Sequence, residues 1–406
     1  MNPVTTNPYR LEKQNVAILV ISQVAFMVAA ITVMTLSGVV GQQLSPDPGL
    51  ATLPIAIMML GTVFSTLPAS LFMKNVGRRR GFMVGALLGV GGGLVSFGGI
   101  VAESFALFCF GSMLLGVYQG FAMYYRFAAL DVASPSFRSR AISFVLAGGV
   151  VAAFLGPWNA SALGDVVSSV PNGTPYLSIA VLALLVFVLL TQLKVPYVGE
   201  AHQGEVARPL RAIGRNPAFV VALASGALGY AIMVLVMTAT PLAMRAQAFS
   251  MDQVAFIMQW HVLGMYVPSF FTGALISRVG LSRVLMAGCT ILIVAVVTAM
   301  QGASLAHFWV ALVCLGVGWN FLFIGGSTLL SSLHTEAERG KVQGVNDLII
   351  FVLVTIGSLM SGTLLHQLGW ETLNVLMLAP IAVVALSVLW MGARRRSAPV
   401  SDAGSL

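Results

Sequence analysis

Long apolar runs alternate with short polar breaks along the whole of this 406-residue chain. The runs fall at residues 15–41, 50–73, 81–102, 105–133, 141–164, 175–194, 218–244, 253–276, 284–303, 306–333, 342–366 and 372–391. Most are 20 to 27 residues long. At about 1.5 Å of rise per residue, each covers a hydrocarbon core of ~30 Å as one helix. The pattern predicts an all-α integral membrane protein with twelve spans. One polar break is longer than the others, Lys194 to Pro217, and carries Glu200, Glu205, Arg208, Arg211 and Arg215. It divides the chain into a six-helix bundle over 1–195, a cytoplasmic linker over 196–217, a second six-helix bundle over 218–391 and a tail over 392–406.

Composition sharpens this picture. With 58% hydrophobic and 8% charged residues, a soluble globular chain is excluded. A net charge of +8 can signal nucleic acid, but here the placement of the charges decides otherwise. With the N-terminus inside, 19 of the 21 Lys and Arg fall on the cytoplasmic side, leaving Arg245 outside and Arg126 within a span. The basic balance therefore reports orientation, and both termini are expected in the cytoplasm. The polar start Met1–Gln14 runs directly into a full span, so no removable signal peptide is expected. Cys109, Cys289 and Cys314 all lie in apolar runs and read as buried thiols, neither disulfides nor metal ligands.

A basic turn after the second run, Ser70-Leu-Phe-Met-Lys-Asn-Val-Gly-Arg-Arg-Arg80, returns after the eighth as Gly273-Ala-Leu-Ile-Ser-Arg-Val-Gly-Leu-Ser-Arg283. Glycine in the tight turn tolerates backbone angles that other residues resist, and the arginines hold the turn at a membrane surface. Two such loops at a matched interval resemble the signature loop of the major facilitator superfamily of transporters. The second copy keeps Gly273, Leu275, Arg278 and Gly280, with Ser277 where the family has an acid; the first keeps Gly77, Arg78 and Arg79, with Lys74 there. The repeat extends further. At an offset of 201, Arg138-Ser-Arg140 matches Arg339-Gly-Lys341, Tyr118-Gln119 matches Trp319-Asn320, and Gly156 matches Gly357. The resemblance implies parallel halves with a solute site between them, and spans 1, 4, 7 and 10 lining a central cavity.

Other motifs have plainer readings. Gly81, Gly85, Gly89 and Gly93 recur every four residues on one face of span 3, which suits close helix packing in lipid better than nucleotide binding, since no Lys-Ser/Thr pair follows. Gly156-Pro157 in span 5 is similar to the family's antiporter element and predicts a bent helix. Asn172-Gly-Thr174 spells a glycosylation sequon of little weight by itself.

The chain contains no reacting constellation such as His-Glu-x-x-His or Gly-x-Ser-x-Gly. Candidate chemistry rests on polar residues at membrane depth, which are costly to bury. Arg126 lies about seven residues inward from the centre of span 4, where an Arg costs roughly 2.5–3.5 kcal/mol by insertion scales. It is expected to face water, an anion or a carboxylate, with Gln119 on the same helical face; snorkelling to the inner surface is the structural alternative. His261 in span 8 is a candidate proton carrier or a hydrogen-bonded packing residue. Trp319-Asn320 in span 10, with Phe323 and Ser327, offers an aromatic and amide face for a flat solute, against ordinary core packing. Tyr230 in span 7 and Gln23 in span 1 complete the solute-binding set.

A second set reads as a cytoplasmic gate. The resemblance implies that Asp131 pairs with Arg78, with Arg278 in the corresponding turn of the second half. Lys74 reverses the sign of the family's acid and would be repelled by the positive end of span 11. Asp347, about one and a half turns into that span, is expected to answer it in an inter-bundle pair. Pairing of Asp347 with Arg126, and a solvated Asp347, are the competing readings.

The expected function is secondary transport of a small organic solute across a cell inner membrane by alternating access, with protons as the candidate coupling ion. Arg126 favours an organic anion or a polar ring compound. The alternatives are a drug-type proton antiporter, disfavoured by the absence of a central carboxylate in span 1, and a transport-dead receptor on the same scaffold. No cofactor, metal or nucleic acid is implied, and the expected partners are the solute, lipid and protons acting on a monomer.

Overall fold

The structure is a computed structural model and describes residues 8–134, 137–164, 166–167, 169–195, 213–214 and 216–397. Every element among the described residues is helical. In chain order they are α1 (Pro8–Leu44), a 3-10 turn at Pro48–Leu50, α2 (Leu53–Val76), α3 (Arg78–Val101), α4 (Phe105–Ala122), α5 (Tyr125–Val132), α6 (Arg138–Ala162) and α7 (Thr174–Leu190). There follow α8 (Pro217–Ala246), α9 (Met251–Tyr266), α10 (Ser269–Val279), α11 (Leu281–Met300), α12 (Leu305–Ser331), α13 (Glu336–Leu376) and α14 (Leu378–Ser397). Among the described residues nine helices are long and apolar enough to cross a membrane, or ten when the bent pair α9–α10 counts as one.

The differences from the expected run of spans have local causes. Span 4 is broken at Met123–Tyr124 into α4 and α5. Span 8 is bent by 42° between α9 and α10, where Pro268 supplies no N–H and cannot continue a helical ladder. The helix α7 has only 17 residues. The long stretch Val342–Arg394 carries one non-helical residue inside α13, Gly369, at φ 78° and ψ 173°. Its positive φ, which favours glycine, separates the expected spans 11 and 12.

The two basic turns share one backbone geometry. Gly77 lies at φ 88° and ψ 151°, and Gly280 at φ 90° and ψ 147°. Each closes one helix, its N–H donating to the carbonyl of Met73 or Ile276 at 2.9 Å, and opens the next. The same local sequence thus makes the same corner twice. Helix starts elsewhere follow ordinary capping. Ser104 and Ser304 accept from the N–H groups of Leu107 and His307, and the Thr335 N–H donates to the Glu338 carboxylate at 3.0 Å, satisfying groups a helix end would strand.

The chain forms two compact units. The first holds the described residues of 1–201 with 237–262 and 358–367; the second holds those of 202–236, 263–357 and 368–406. In the first unit α3 packs its glycine face directly on its neighbours. A Cβ on Gly89 would stand 2.7 Å from the Tyr118 ring, and one on Gly93 2.7 Å from the Ala180 nitrogen, so the glycines of span 3 serve helix approach. The core of this unit gathers Leu19, Phe82, Tyr118, Tyr125, Val145 and Leu190, with edge-on ring pairs Phe26–Tyr118 at 5.6 Å and Phe82–Tyr125 at 4.8 Å. A polar thread crosses it: the Ser178 hydroxyl donates to Asn159 Oδ1 at 2.6 Å, Asn159 Nδ2 to Thr32 Oγ1 at 3.0 Å, and Thr32 to the Gly156 carbonyl at 3.1 Å.

At the end of the helices remote from the basic turns, α1 meets α8, and the turn between α1 and α2 meets α13, within this unit. Gly38 faces Leu242, Thr363 Oγ1 donates to the Gly49 carbonyl at 3.0 Å, and Thr52 Oγ1 accepts from the Gly362 N–H at 3.1 Å. Cys109 and Cys289 are buried free thiols and Cys314 is a half-buried one. The sequon residue Asn172 is itself buried at φ 62°, with its N–H donating to the Gly164 carbonyl at 2.7 Å. Its local use is to close the turn before α7.

Candidate solute site

The second unit contains a compact aromatic group. The Trp319 and Phe323 rings, one helical turn apart on α12, stack with centroids 5.0 Å apart and planes 12° from parallel. Tyr230 of α8 leans on both, 5.3 Å from Trp319 and 5.6 Å from Phe323. Trp319 is buried, while Phe323 and Tyr230 are half-buried and keep surface for a further ring. The Trp319 indole nitrogen is buried with no hydrogen-bond partner among the described residues.

Asn320 stands next to this group but its amide is already used. It is fully buried, Nδ2 donating to the Met265 carbonyl at 2.7 Å and to Ser269 Oγ at 2.5 Å. Its Oδ1 accepts from Thr272 Oγ1 at 2.7 Å. All three partners flank the break between α9 and α10. Asn320 therefore re-satisfies backbone that Pro268 interrupts, as non-helical backbone at membrane depth requires. Ser269 and Thr272 did not stand out in the sequence; their spacing just after Pro268 is the signal that marks them.

In the first unit Gln119 is half-buried on α4, and its Oε1 is buried with no hydrogen-bond partner among the described residues. Arg126, beyond the break, is exposed, with its guanidinium 4.8 Å from the Phe127 ring centroid. The break itself is held by the Tyr124 hydroxyl, which donates to the Thr66 carbonyl of α2 at 3.0 Å. Gln23 is half-buried on α1, beside Gly148 of α6. His261 is fully buried on α9.

The residues grouped as a gate fall at the basic turns. Arg78 Nε and Asp131 Oδ2 form an ion pair between the start of α3 and the end of α5, with 28% and 24% of their side chains exposed. Lys74 is exposed in the last turn of α2, and Arg278 is exposed in the last turn of α10. Asp347 is half-buried on α13 and accepts from Asn346 Nδ2 at 3.1 Å.

The sequence profile of the Major Facilitator Superfamily matches residues 18–258 and 226–405, nearly the whole chain. The chain belongs to this superfamily. Like the superfamily's other members, it is a multi-pass membrane transporter of a small-molecule solute. It is 42% identical to the riboflavin transporter RfnT of Brucella anthropi over 379 residues, covering 93% of this chain and 95% of that one. It is 27% identical over 403 residues to YdeG, an uncharacterized transporter of the same superfamily from Bacillus subtilis, covering 92% of each. Among solved structures, the nucleoside transporter NupG aligns over 94% of this chain with a TM-score of 0.72 at 15% identity. The human organic anion transporter MFSD10 aligns over 93% with a TM-score of 0.64 at 14% identity. At those identities the likeness speaks for the superfamily fold alone.

Proposed function

We propose that this transporter carries riboflavin, or a flavin closely like it, across a bacterial inner membrane by alternating access. The observation that carries the reading is the aromatic group of Trp319, Phe323 and Tyr230, in a chain 42% identical to a riboflavin transporter. A flavin is a flat, partly apolar ring system, and offset or tilted ring contacts of this kind are worth about 0.5–1.5 kcal/mol beyond area burial. Phe323 and Tyr230 supply ring surface, while the stack on Phe323 holds Trp319 in place. This narrows the sequence-based expectation of an organic anion or polar ring compound to the ring compound.

In the same reading the basic turns lie in the cytoplasm with both termini, the two halves 1–195 and 218–391 are the moving bundles, and the transporter works as a monomer. Gln119 and Arg126 are solute or coupling residues, and Lys74, Arg78, Asp131, Arg278 and Asp347 act at the cytoplasmic gate. His261 is the candidate for proton coupling. The test is uptake of labelled riboflavin into proteoliposomes, with and without a proton gradient. Saturable uptake that unlabelled flavin competes away is expected. Absence of flavin uptake under both conditions would overturn the substrate, and uptake indifferent to the gradient would remove the proton.

A further inference from the structure

We propose that the cavity between the ends of α1 and α8, remote from the basic turns, is an anion site that takes a phosphate group. It is an open cleft of about 270 Å³, lined by buried Val39 and by Gln42, Gln43, Arg245 and Ala246, which are all exposed. That is below the usual range of about 300–1,000 Å³ for sites that enclose a drug-sized ligand, but ample for a phosphate.

Among the described residues the lining is rich in donors and carries no acid. Arg245 spends one N–H, from Nη1, on the Phe249 carbonyl at 2.7 Å. A guanidinium has five donors, so most of its fork is left over, and no carboxylate pairs with it among the described residues. Gln43 Oε1 lies 3.5 Å from Asn172 Nδ2, and its NH2 adds donors to the lining. Asn172 is in turn fixed by its own backbone bond to Gly164. Gln42 adds a second amide. Guanidinium and amide donors lining one cleft, with no carboxylate among its described residues, suit a tetrahedral oxyanion.

The sequence supplies an independent reason. Of the 21 Lys and Arg, Arg245 is the one assigned to the side opposite the basic loops, where the orientation rule disfavours cations. Its place in the last turn of α8 complements the helix dipole. That role accounts for a positive charge but not for its opening onto a cavity beside two glutamines. The phosphate has two possible sources, a phosphorylated solute arriving from that side or a lipid headgroup.

Calorimetric titration of the purified full-length protein in detergent tests the site with three probes: inorganic pyrophosphate, flavin mononucleotide compared with riboflavin, and dihexanoyl phosphatidic acid. Binding of at least one phosphate probe to the wild type is expected, weakened about tenfold or more by Arg245→Gln, as the loss of a charge-assisted bond implies. Arg245→Lys, which keeps charge and helix end but not the fork, should fall between, and Gln43→Leu should weaken the same probe severalfold. These two milder variants decide the matter if Arg245→Gln does not fold. Preference for the mononucleotide assigns the site to a solute, and preference for the phosphatidic acid assigns it to lipid. If no phosphate probe binds the wild type, or if all bind the variants equally well, the site does not exist. Pyrophosphate carries no flavin, so either failure leaves the flavin reading standing.

Discussion

Two spans of this transporter are broken, and the breaks are built differently. In span 8 the interruption is written by Pro268, and the amide of Asn320 closes it with bonds to Met265, Ser269 and Thr272. Both the NH2 and the oxygen of that amide are engaged. In span 4 no proline intervenes between α4 and α5. The Tyr124 hydroxyl ties the break to α2; one turn before it, Gln119 Oε1 is buried with no hydrogen-bond partner among the described residues, and two residues after it Arg126 is exposed. The proposed roles differ accordingly: the closed network of Asn320 is expected to serve the fold, and the open acceptor of Gln119 to serve the solute.

The comparison is easiest to break at Arg126. Arg126→Ala should abolish flavin transport, a loss of a hundredfold or more, while the protein still reaches the membrane and melts within a few degrees of the wild type. Full transport by Arg126→Ala would reduce the residue to snorkelling and remove the functional side of the contrast. Asn320→Leu should do the opposite in kind. It strands the Met265 carbonyl and the Ser269 hydroxyl, at roughly 1–3 kcal/mol for each buried group left unsatisfied. The melting temperature in detergent should fall by many degrees, and transport should fall only in proportion to folded protein. If Asn320→Leu melts normally yet fails to transport, the amide belongs to the solute after all.

The aromatic group gives a smaller and sharper effect. Tyr230→Leu removes a ring with free surface and should weaken flavin binding about tenfold, in line with the loss of roughly 1 kcal/mol or more of ring contact. Phe323→Tyr, which keeps the stack on Trp319, should change binding little. Equal affinity in Tyr230→Leu would move the solute elsewhere.

How much of this was readable from the chain depends on whether the cause is local. Run length and charge placement mark the spans because bilayer thickness and the orientation rule act on each segment by itself. The corner glycines Gly77 and Gly280 were legible for the same reason, since a tight turn between helices needs a residue that accepts positive φ. Asn320 was found as a polar residue at depth, but its duty depends on Met265, Ser269 and Thr272, some fifty residues away. No periodicity in span 10 announces them. The break at Met123–Tyr124 was not legible at all, because its visible anchor is a tyrosine hydroxyl reaching a carbonyl on another helix. Arg245 stood out as a lone outer charge, while the cavity around it depends on α1 and the turn at Asn172.

The smallest expected effect concerns α5, the eight-residue piece left beyond the break in span 4. Joined to α4 through the turn at Met123–Tyr124, where the Met123 N–H still donates to the Gln119 carbonyl at 3.0 Å, it is also held at its far end near the basic turns. Asp131 pairs with Arg78, and Glu12 Oε1 accepts from the N–H and the hydroxyl of Ser134 at 2.6 and 2.7 Å. Partly solvated at the end of its helices, the Arg78–Asp131 pair should contribute on the order of 1 kcal/mol. Global stability is therefore a poor reporter of it. Local opening is a better one: Asp131→Asn should raise amide hydrogen exchange over residues 125–134 while leaving α4 unchanged, because the Arg78 pair acts at the end of α5 far from the turn at Met123–Tyr124. The double swap Arg78→Asp with Asp131→Arg should restore protection, with the Glu12 contact untouched. If exchange rises equally on both sides of Met123–Tyr124, span 4 behaves as one helix and the contrast with span 8 fails at its base.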